Sequence, residues 1–139
     1  MIVHAGLVAL RLGGRWRGAL IEGPSGAGKS DLALRALEAG FRLVADDRVI
    51  LWTSGGRLYG RAPDTLSGLI EAWGVGVVRQ PPLALAQVAL VVRPGTGERV
   101  PAFVETALLG CGVPTMQLQY LEDSAPAKLS RALQHFDGG

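Results

Sequence analysis

The sequence predicts an α/β domain with a P-loop, in which a mixed sheet of several hairpins lies beside one phosphate-binding βα unit. Three observations predict this class. The glycine-rich sequence Gly23–Ser30 follows an apolar extended run and precedes a helical pattern. Glycine pairs separate extended runs on both sides of it, as they do in hairpins. The length of 139 residues, with 48% hydrophobic and 19% charged residues, suits a single domain over residues 1–139.

The first half of the chain joins two predicted hairpins through the phosphate-binding unit. Extended apolar runs end at glycine turns, and the segment after the glycine-rich loop has apolar residues at helical spacing until Gly40. The predicted elements are strands Val3–Leu10 and Trp16–Glu22, helix Ser30–Ala39, strand Phe41–Ala45, and a hairpin of Val49–Trp52 with Arg57–Gly60. Strand Phe41–Ala45 therefore ends at the acidic pair Asp46-Asp47.

The second half of the chain has weaker patterns. Pro63–Gly76 is rich in glycine and turn formers. Further apolar runs predict strands, and a proline near the first position of the terminal segment predicts a helix. The predicted elements are strands Val75–Val78, Leu85–Val92, Val100–Val104 and Gly112–Leu118, and helix Pro126–His135. Hairpins beside a single βα unit indicate a mixed rather than a purely parallel sheet.

The charge and cysteine contents exclude several functional classes. Lys plus Arg number 14 against 12 Asp plus Glu, and the basic residues are scattered, so nucleic acid is not an expected partner. Cys111 is the single cysteine, which excludes an intramolecular disulfide and suits a reducing cytoplasm. The longest apolar stretches run about ten residues, against the roughly 20 that cross a bilayer. We therefore expect a cytoplasmic protein with no membrane segment and no secretion signal.

The sequence Gly23-Pro24-Ser25-Gly26-Ala27-Gly28-Lys29-Ser30 predicts a nucleoside triphosphate site. Its glycines let backbone N–H groups face phosphate oxygens, Lys29 reaches the β and γ phosphates, and Ser30 coordinates magnesium. The loop also directs the positive end of a helix dipole at the anion. A turn that merely needs three glycines would leave Lys29 and Ser30 unexplained. ATP and Mg²⁺ are therefore the expected cofactors.

The acidic pair Asp46-Asp47 predicts a site for metal binding and proton transfer. In a βαβ arrangement, the end of the strand after the P-loop helix lies beside the loop, where magnesium needs a carboxylate. Successive strand side chains point to opposite faces, so one aspartate suits the metal and the other suits the group that receives phosphate. This division favours a kinase. The alternative is a polar strand end with Asp47 and Arg48 in solvent.

Three further residues are weaker candidates. His4 lies in an apolar strand, where a histidine is more often a structural residue of the sheet than a catalyst. Glu71 lies among apolar residues, so it is either a metal ligand or an exposed strand charge. Arg99 could bind phosphate, although its position alone favours an ordinary loop cation.

Four segments, taken in order, resemble the C-terminal catalytic domain of the bacterial HPr kinase/phosphorylase family. They are Val3-His4-Ala5-Gly6, Gly23–Ser30 with Asp31–Leu34 after it, Arg42–Asp47, and Ile70-Glu71 with Gly74–Gly76. The first three cover Met1 to about Ile50, and Glu98-Arg99-Val100 is similar to the family segment that carries an arginine. The resemblance is to a short form without the separate N-terminal domain of the family.

The resemblance implies a carboxykinase-like fold and an ATP-dependent serine kinase. Family members phosphorylate a serine of HPr, a small phosphocarrier protein of a phosphotransferase system, or of a relative of HPr. They also reverse the modification by phosphorolysis, releasing pyrophosphate. Full-length members form hexamers, so a homo-oligomer is one expectation for this chain.

The resemblance also implies roles for individual residues. Asp46 would take the proton from the acceptor serine, and His4 would tune the protonation of Asp46. The remaining implied roles are metal binding by Ser30, Asp47 and Glu71, and contacts with phosphate or the partner by Lys29 and Arg99.

Two other functions remain open from the sequence. A small-molecule kinase on the same fold would act without a protein acceptor. A nucleotide-sensing module would bind ATP without transferring phosphate. The family signature of Glu, an aliphatic residue, Arg and Gly reads Glu71-Ala72-Trp73-Gly74 here. Trp73 in place of the arginine therefore leaves both the sensing alternative and the phosphorolysis reaction to be tested.

Overall fold

The computed structural model describes residues 1–99, 101–102 and 104–137. The strands within these residues are β1 Ile2–Val3, β2 Ala5–Leu12, β3 Arg15–Glu22, β4 Arg42–Ala45, β5 Val49–Ser54, β6 Arg57–Arg61, β7 Leu69–Ala72, β8 Gly76–Arg79, β9 Ala86–Pro94, β10 Glu105–Leu108 and β11 Cys111–Leu118. The helices are α1 Lys29–Glu38 and α2 Ala125–Asp137, with one turn of 3₁₀ helix at Asp64–Leu66.

The main sheet is mixed, which confirms the predicted α/β fold class. Its strands lie in the order β1-β5-β6-β9-β3-β2-β4, with β11 beside the second half of β9 and β10 beside β11. β9 runs parallel to both β3 and β11. The hairpins β2–β3 and β5–β6 are antiparallel and turn at the predicted glycine pairs. One parallel unit therefore lies among hairpins.

The two faces of the main sheet bury separate apolar clusters. Side chains alternate between faces along each central strand. On β3, Ile21 packs in the cluster that includes both helices, whereas Leu20 packs in the cluster that includes β5 and β6. On β9, Leu90 and Val91 divide in the same way. All four side chains are fully buried, and each such burial stabilises the fold by about 1.5–3 kcal/mol.

Both helices bury one stripe of side chains against the same cluster. Leu32 and Ala36 on α1, and Leu129 and Leu133 on α2, are spaced four residues apart and are at most 1% exposed.

Among the residues that the structure covers, neither helix has the length and the apolar run that crossing a bilayer requires.

The carboxyl ends of several strands lie at one edge of the main sheet. β3, β9 and β11 are parallel, and β4 runs in the same direction because β2 is antiparallel to both β3 and β4. Ligands of α/β sheets bind outside the carboxyl ends of such strands. The P-loop follows β3 and the acidic pair follows β4. The segments after β9 and β11 lie on the opposite side of the P-loop from the acidic pair.

The strand predicted at Val100–Val104 is wrong. The described residues in that range belong to no strand, and positions 100 and 103 lie outside the described residues. Pro101 has no N–H group to donate to a ladder, which disfavours a strand at this point. The strand in this region is β10, which pairs with β11. Neither face of this strand, whose sequence is Glu-Thr-Ala-Leu, is fully buried. Its sequence therefore lacks the hydrophobic alternation that predicts a strand.

Strands β7 and β8 form a separate two-stranded sheet. Only the second of them was predicted, because Leu69–Ala72 lies in a stretch dominated by turn formers. Ile70 is fully buried in the cluster of the helices and anchors this hairpin. Near the turn, Trp73 is 93% exposed and Val75 is 78% exposed. The hairpin therefore has a fixed base and a solvent-exposed apolar tip.

Candidate active site

The P-loop connects β3 to α1 at the sheet edge. Gly26 and Gly28 have φ angles of 85° and 95°, a left-handed conformation that favours glycine. Gly28 is also the N-terminal cap residue of α1, and no side chain caps the helix there. The backbone N–H groups of the first helical turn are thus available to an anion, which the helix dipole favours.

Lys29 begins α1, and its side chain lies back along the loop. Its Nζ donates hydrogen bonds to the carbonyl oxygens of Gly23 at 2.6 Å and Pro24 at 3.1 Å. These bonds hold the ammonium group beside the loop backbone. The loop therefore combines a fixed positive charge with the N–H groups at the start of a helix.

Asp46 follows the end of β4 and contacts the P-loop. It is the one buried charged side chain among the described residues, with 7% exposure. Its Oδ1 accepts a hydrogen bond from Ser30 Oγ at 2.9 Å, and its Oδ2 accepts one from the backbone N–H of Glu71 at 3.1 Å. Both oxygens are therefore held in place, one of them against the P-loop serine.

Asp47 points away from this pair and meets His4. The distance from His4 Nε2 to Asp47 Oδ1 is 2.9 Å, and about half of each side chain is exposed. Arg48 Nε lies 3.7 Å from Asp47 Oδ2. β4 ends at Ala45, and Asp47 has a φ angle of 74°, a left-handed conformation outside the strand region. The structure thus pairs His4 with Asp47, not with Asp46 as the resemblance implied.

The other two predicted site residues lie further out. The Glu71 side chain is exposed on β7, and it is the backbone of this residue that contacts Asp46. Arg99 is exposed in the segment after β9 and lines a cavity there. The residues that line this cavity include neither the P-loop nor the acidic pair.

Ser30 and Asp46 fit a magnesium ion that is bound together with phosphate. Within the described ranges, no group of three or more His, Cys, Asp and Glu side chains could hold a metal by itself. Magnesium needs fewer protein ligands, because it binds through one or two carboxylates and completes its shell with waters and substrate phosphates. The hydroxyl and the carboxylate, 2.9 Å apart, are both oxygen donors of the kind magnesium prefers.

Tyr120 ties the neighbouring strand ends to the start of the P-loop, and the sequence did not indicate it. Its hydroxyl donates to the carbonyl oxygens of Glu22 and Val92, the latter at 2.8 Å. Arg35 of α1 donates to the carbonyl of Tyr120 and, at 3.0 Å, to that of Glu122. These partners lie 28 to 98 residues apart in the chain, so no local pattern could reveal them.

Replacing Tyr120 with Phe should destabilise the protein by about 1–3 kcal/mol, because two carbonyls lose a buried donor. Burial, and then the Glu22 carboxylate, raise the pKa of Tyr120 above its usual 10.0. A raised pKa stabilises the fold below about pH 10, and this stabilisation declines as the pH rises further. The variant should lack that alkaline decline, which urea unfolding at a series of pH values measures.

Tyr59→Phe is the matched control for this experiment. The ring of Tyr59 stacks on Trp52 with centroids 5.9 Å apart, and the substitution retains the ring. We expect a change in stability within about 0.5 kcal/mol. Equal stability of the Tyr120→Phe variant and the parent would show that these hydrogen bonds do not stabilise the P-loop edge.

Comparisons with known proteins find similarity to kinases that act on HPr. A family model described as the HPr Serine kinase C-terminal domain matches residues 2–81. The HPr kinase/phosphorylase of Brevibacillus brevis is 52% identical over 62 residues, which cover 44% of this chain and 20% of that protein. The enzyme of the same name from Clostridium tetani is 46% identical over 66 residues, which cover 48% of this chain and 22% of that protein. The matched part thus spans about a fifth of the length of these relatives.

The fold is also similar to a solved structure. The Hpr(Ser) kinase/phosphatase from Coxiella burnetii aligns over 100% of this chain and 99% of its own, with a TM-score of 0.81 and 24% sequence identity. At this identity the likeness shows the fold. It includes residues 82–139, which the family model does not match.

Proposed function

This chain belongs to the HPr serine kinase C-terminal domain family, and from that premise we propose that it is an ATP-dependent protein serine kinase. It transfers the terminal phosphoryl group of ATP to a serine hydroxyl of an HPr-like phosphocarrier protein. The observation that carries the proposal is the pair of contacts at the end of β4. Ser30 of the P-loop bonds to Asp46, and the adjacent Asp47 bonds to His4. The proposed phosphate-binding residue Ser30 and the proposed proton acceptor Asp47 are thus both close to the end of β4.

The P-loop orients the triphosphate in this proposal. Backbone N–H groups at the start of α1 and the Lys29 ammonium group surround the phosphates. Ser30 Oγ and an oxygen of Asp46 would hold magnesium, which would supply positive charge to neutralise the phosphates. Phosphoryl transfer needs this positioning and electrostatic stabilisation more than covalent help from the protein.

The geometry favours Asp47 over Asp46 as the proton acceptor. Asp46 is buried, and both of its oxygens are engaged beside the P-loop serine, which suits a metal ligand. Asp47 is half exposed, so an acceptor serine from another protein can reach it. The Asp47 carboxylate takes the hydroxyl proton as the serine oxygen attacks the terminal phosphorus and ADP departs. The proposal therefore exchanges the two roles that the resemblance implied.

His4 is a positioning residue in this scheme. At 2.9 Å from Asp47 Oδ1, its Nε2 can donate a hydrogen bond that leaves Oδ2 to receive the proton. We also propose that Glu71 is a further metal ligand. Arg99 would contact phosphate or the partner protein. Their support is the place of Glu71 beside Asp46 and the exposed position of Arg99 at the same sheet edge.

A labelling experiment tests the proposed function. Purified protein, γ-labelled ATP and magnesium are incubated with a panel of HPr-like carriers, and transfer into acid-stable phosphoserine is followed. We expect labelling of at least one carrier and none of the same carrier with its acceptor serine replaced by alanine. Bound ATP without any labelling would favour the nucleotide-sensing module, and labelling of a small molecule alone would favour a small-molecule kinase.

The same assay can be run in reverse. Phosphorylated carrier is mixed with the protein and inorganic phosphate, and pyrophosphate is measured. Release of pyrophosphate would show that Trp73, which replaces the arginine of the family signature, is compatible with phosphorolysis.

A further inference from the structure

A group of arginines around Trp16 lies at the edge of the main sheet opposite the P-loop. Arg11 is near the end of β2, Arg15 and Trp16 begin β3, and Arg42 begins β4. We call these four residues the Trp16 patch. At about 3.3 Å per residue, the eight residues of β3 separate the patch from the P-loop by more than about 20 Å. The patch is therefore separate from the proposed phosphate site.

The Trp16 indole holds two of these arginines in place. The guanidinium carbons of Arg11 and Arg42 each lie 5.9 Å from the centroid of the ring, within the range of a cation–π interaction. Arg11 is the cross-strand partner of Trp16, whereas Arg42 pairs with Ala9 of β2 and reaches across that strand. Arg42 Nη2 also donates a hydrogen bond to the carbonyl of Pro81 at 3.1 Å. Two guanidinium groups are thus fixed beside one aromatic ring.

The positive charge of the Trp16 patch is not balanced by carboxylates of the described residues. Other arginines are paired with carboxylates at 2.9 to 3.8 Å, namely Arg35, Arg48, Arg61 and Arg93. The three arginines of the patch take part in no such pair in the part of the chain that the structure covers. The segments at this edge contain neither Asp nor Glu over residues 5–21, 39–45 and 79–89. Like charges held together repel each other, and an anionic partner relieves this repulsion.

The chemistry of the patch favours carboxylates as its ligands. A guanidinium group presents two parallel N–H donors that match the two oxygens of a carboxylate, and its flat face can stack on an aromatic ring at the same time. Arg11 and Arg15 are exposed, and Arg42 is partly exposed, so a partner can reach all three. An acidic segment of a polypeptide carries several carboxylates within the span of such a patch.

Two other anionic partners fit the patch less well. Proteins bind the surface of anionic membranes through inserted apolar side chains or through clusters of about 4–8 basic residues. The patch has three arginines, and none of the exposed large apolar side chains of the described residues belongs to it. A protein that makes about 6–10 phosphate contacts to nucleic acid also needs more cations than these. Trp16 packs against the cluster that includes β5 and β6, which makes it a poor platform for a stacked base.

We propose that the Trp16 patch is a docking surface for an acidic segment of a partner protein. Carboxylates of that segment pair with the guanidinium groups of Arg11 and Arg42, which Trp16 holds in position, and Arg15 adds a further positive charge at the rim. Because the patch lies at the end of the sheet opposite the P-loop, this partner leaves the proposed phosphate site free. Docking there therefore does not depend on kinase activity.

Fluorescence anisotropy with a labelled poly-glutamate peptide tests this docking surface. Arg11→Gln combined with Arg42→Gln should weaken peptide binding about tenfold or more, and the difference should shrink as salt is added, because salt screens exposed charges. The matched control is Arg57→Gln combined with Arg61→Gln, which removes the same charge from two positions on one face of β6. This control should change the affinity by less than about twofold. Thermal unfolding checks that both double variants retain the fold.

Each other outcome contradicts the assignment. If the two double variants lose the same affinity, the peptide responds to net charge and not to the Trp16 patch. A parent protein that does not bind the peptide has no such docking surface. Vesicles of phosphatidylserine and phosphatidylcholine, and a single-stranded RNA, are tested beside the peptide. Tighter binding of vesicles or RNA than of the peptide, lost in the Arg11 and Arg42 double variant, would identify a membrane or a nucleic acid as the ligand and would overturn the proposal.

Discussion

Replacement of Lys29 by Met should weaken ATP binding at least about a hundredfold, which is roughly 2.7 kcal/mol, and should abolish transfer. The ammonium group is held beside the loop by the carbonyls of Gly23 and Pro24. Methionine has a similar length and no charge, so the fold should persist while the phosphates lose a cationic partner. Titration with a fluorescent ATP analogue measures the affinity, and thermal unfolding checks the fold.

Arg57→Met is the matched control for the lysine variant. Arg57 is an exposed cation at the turn of the β5–β6 hairpin, and its removal changes the net charge by the same amount. ATP affinity should be unaltered in this control. An ordinary ATP titration curve for Lys29→Met would show that the P-loop does not bind the phosphates.

Replacement of Asp47 by Asn should retain ATP binding within about twofold and slow phosphotransfer by about 10²–10⁴-fold, the usual contribution of a positioned base. The amide is nearly isosteric and can still accept a hydrogen bond from His4. It has no carboxylate to take the proton of the acceptor serine. Initial rates of carrier phosphorylation, measured beside nucleotide affinity, separate these two effects.

Asp46→Asn should behave differently and is the control that distinguishes the two aspartates. We expect it to raise the magnesium concentration needed for half-maximal ATP binding, because a charged metal ligand is lost. The opposite result would be loss of transfer by Asp46→Asn with normal magnesium dependence, and transfer at the parent rate by Asp47→Asn. That result would make Asp46 the proton acceptor, as the resemblance implied.

The sequence predicted most of the fold because its strongest signals are local. Glycine pairs indicated the turns of β2–β3 and β5–β6, helical spacing indicated α1, and a proline near the first position indicated α2. The failures have physical causes. β10 buries neither face, and β7 lies in a segment rich in turn formers. Where tertiary contacts and not periodicity hold a strand in place, a single sequence contains little information about it.

The sequence indicated which residues are candidates for the site, but it did not indicate how their side chains are paired. Alternation along the predicted strand led to the expectation that Asp46 and Asp47 point in different directions. The two side chains do have different partners, but both residues lie beyond the end of β4, and alternation cannot tell which one faces the P-loop. β4 ends at Ala45, and Asp47, which has a left-handed backbone, places its side chain against His4. The bonds of Tyr120 connect distant parts of the chain, so they appear only once the chain is folded.

The hydrogen bond from Glu71 to Asp46 also makes one peptide group a reporter of events at the site. The amide proton of Glu71 lies against Oδ2 of a carboxylate, so its magnetic environment depends on the charge of that carboxylate. In a ¹⁵N-labelled sample, its resonance should shift when magnesium and nucleotide are added. A spectroscopist could thus follow the occupancy of a buried carboxylate from the backbone of a neighbouring hairpin, without attaching any label to the nucleotide.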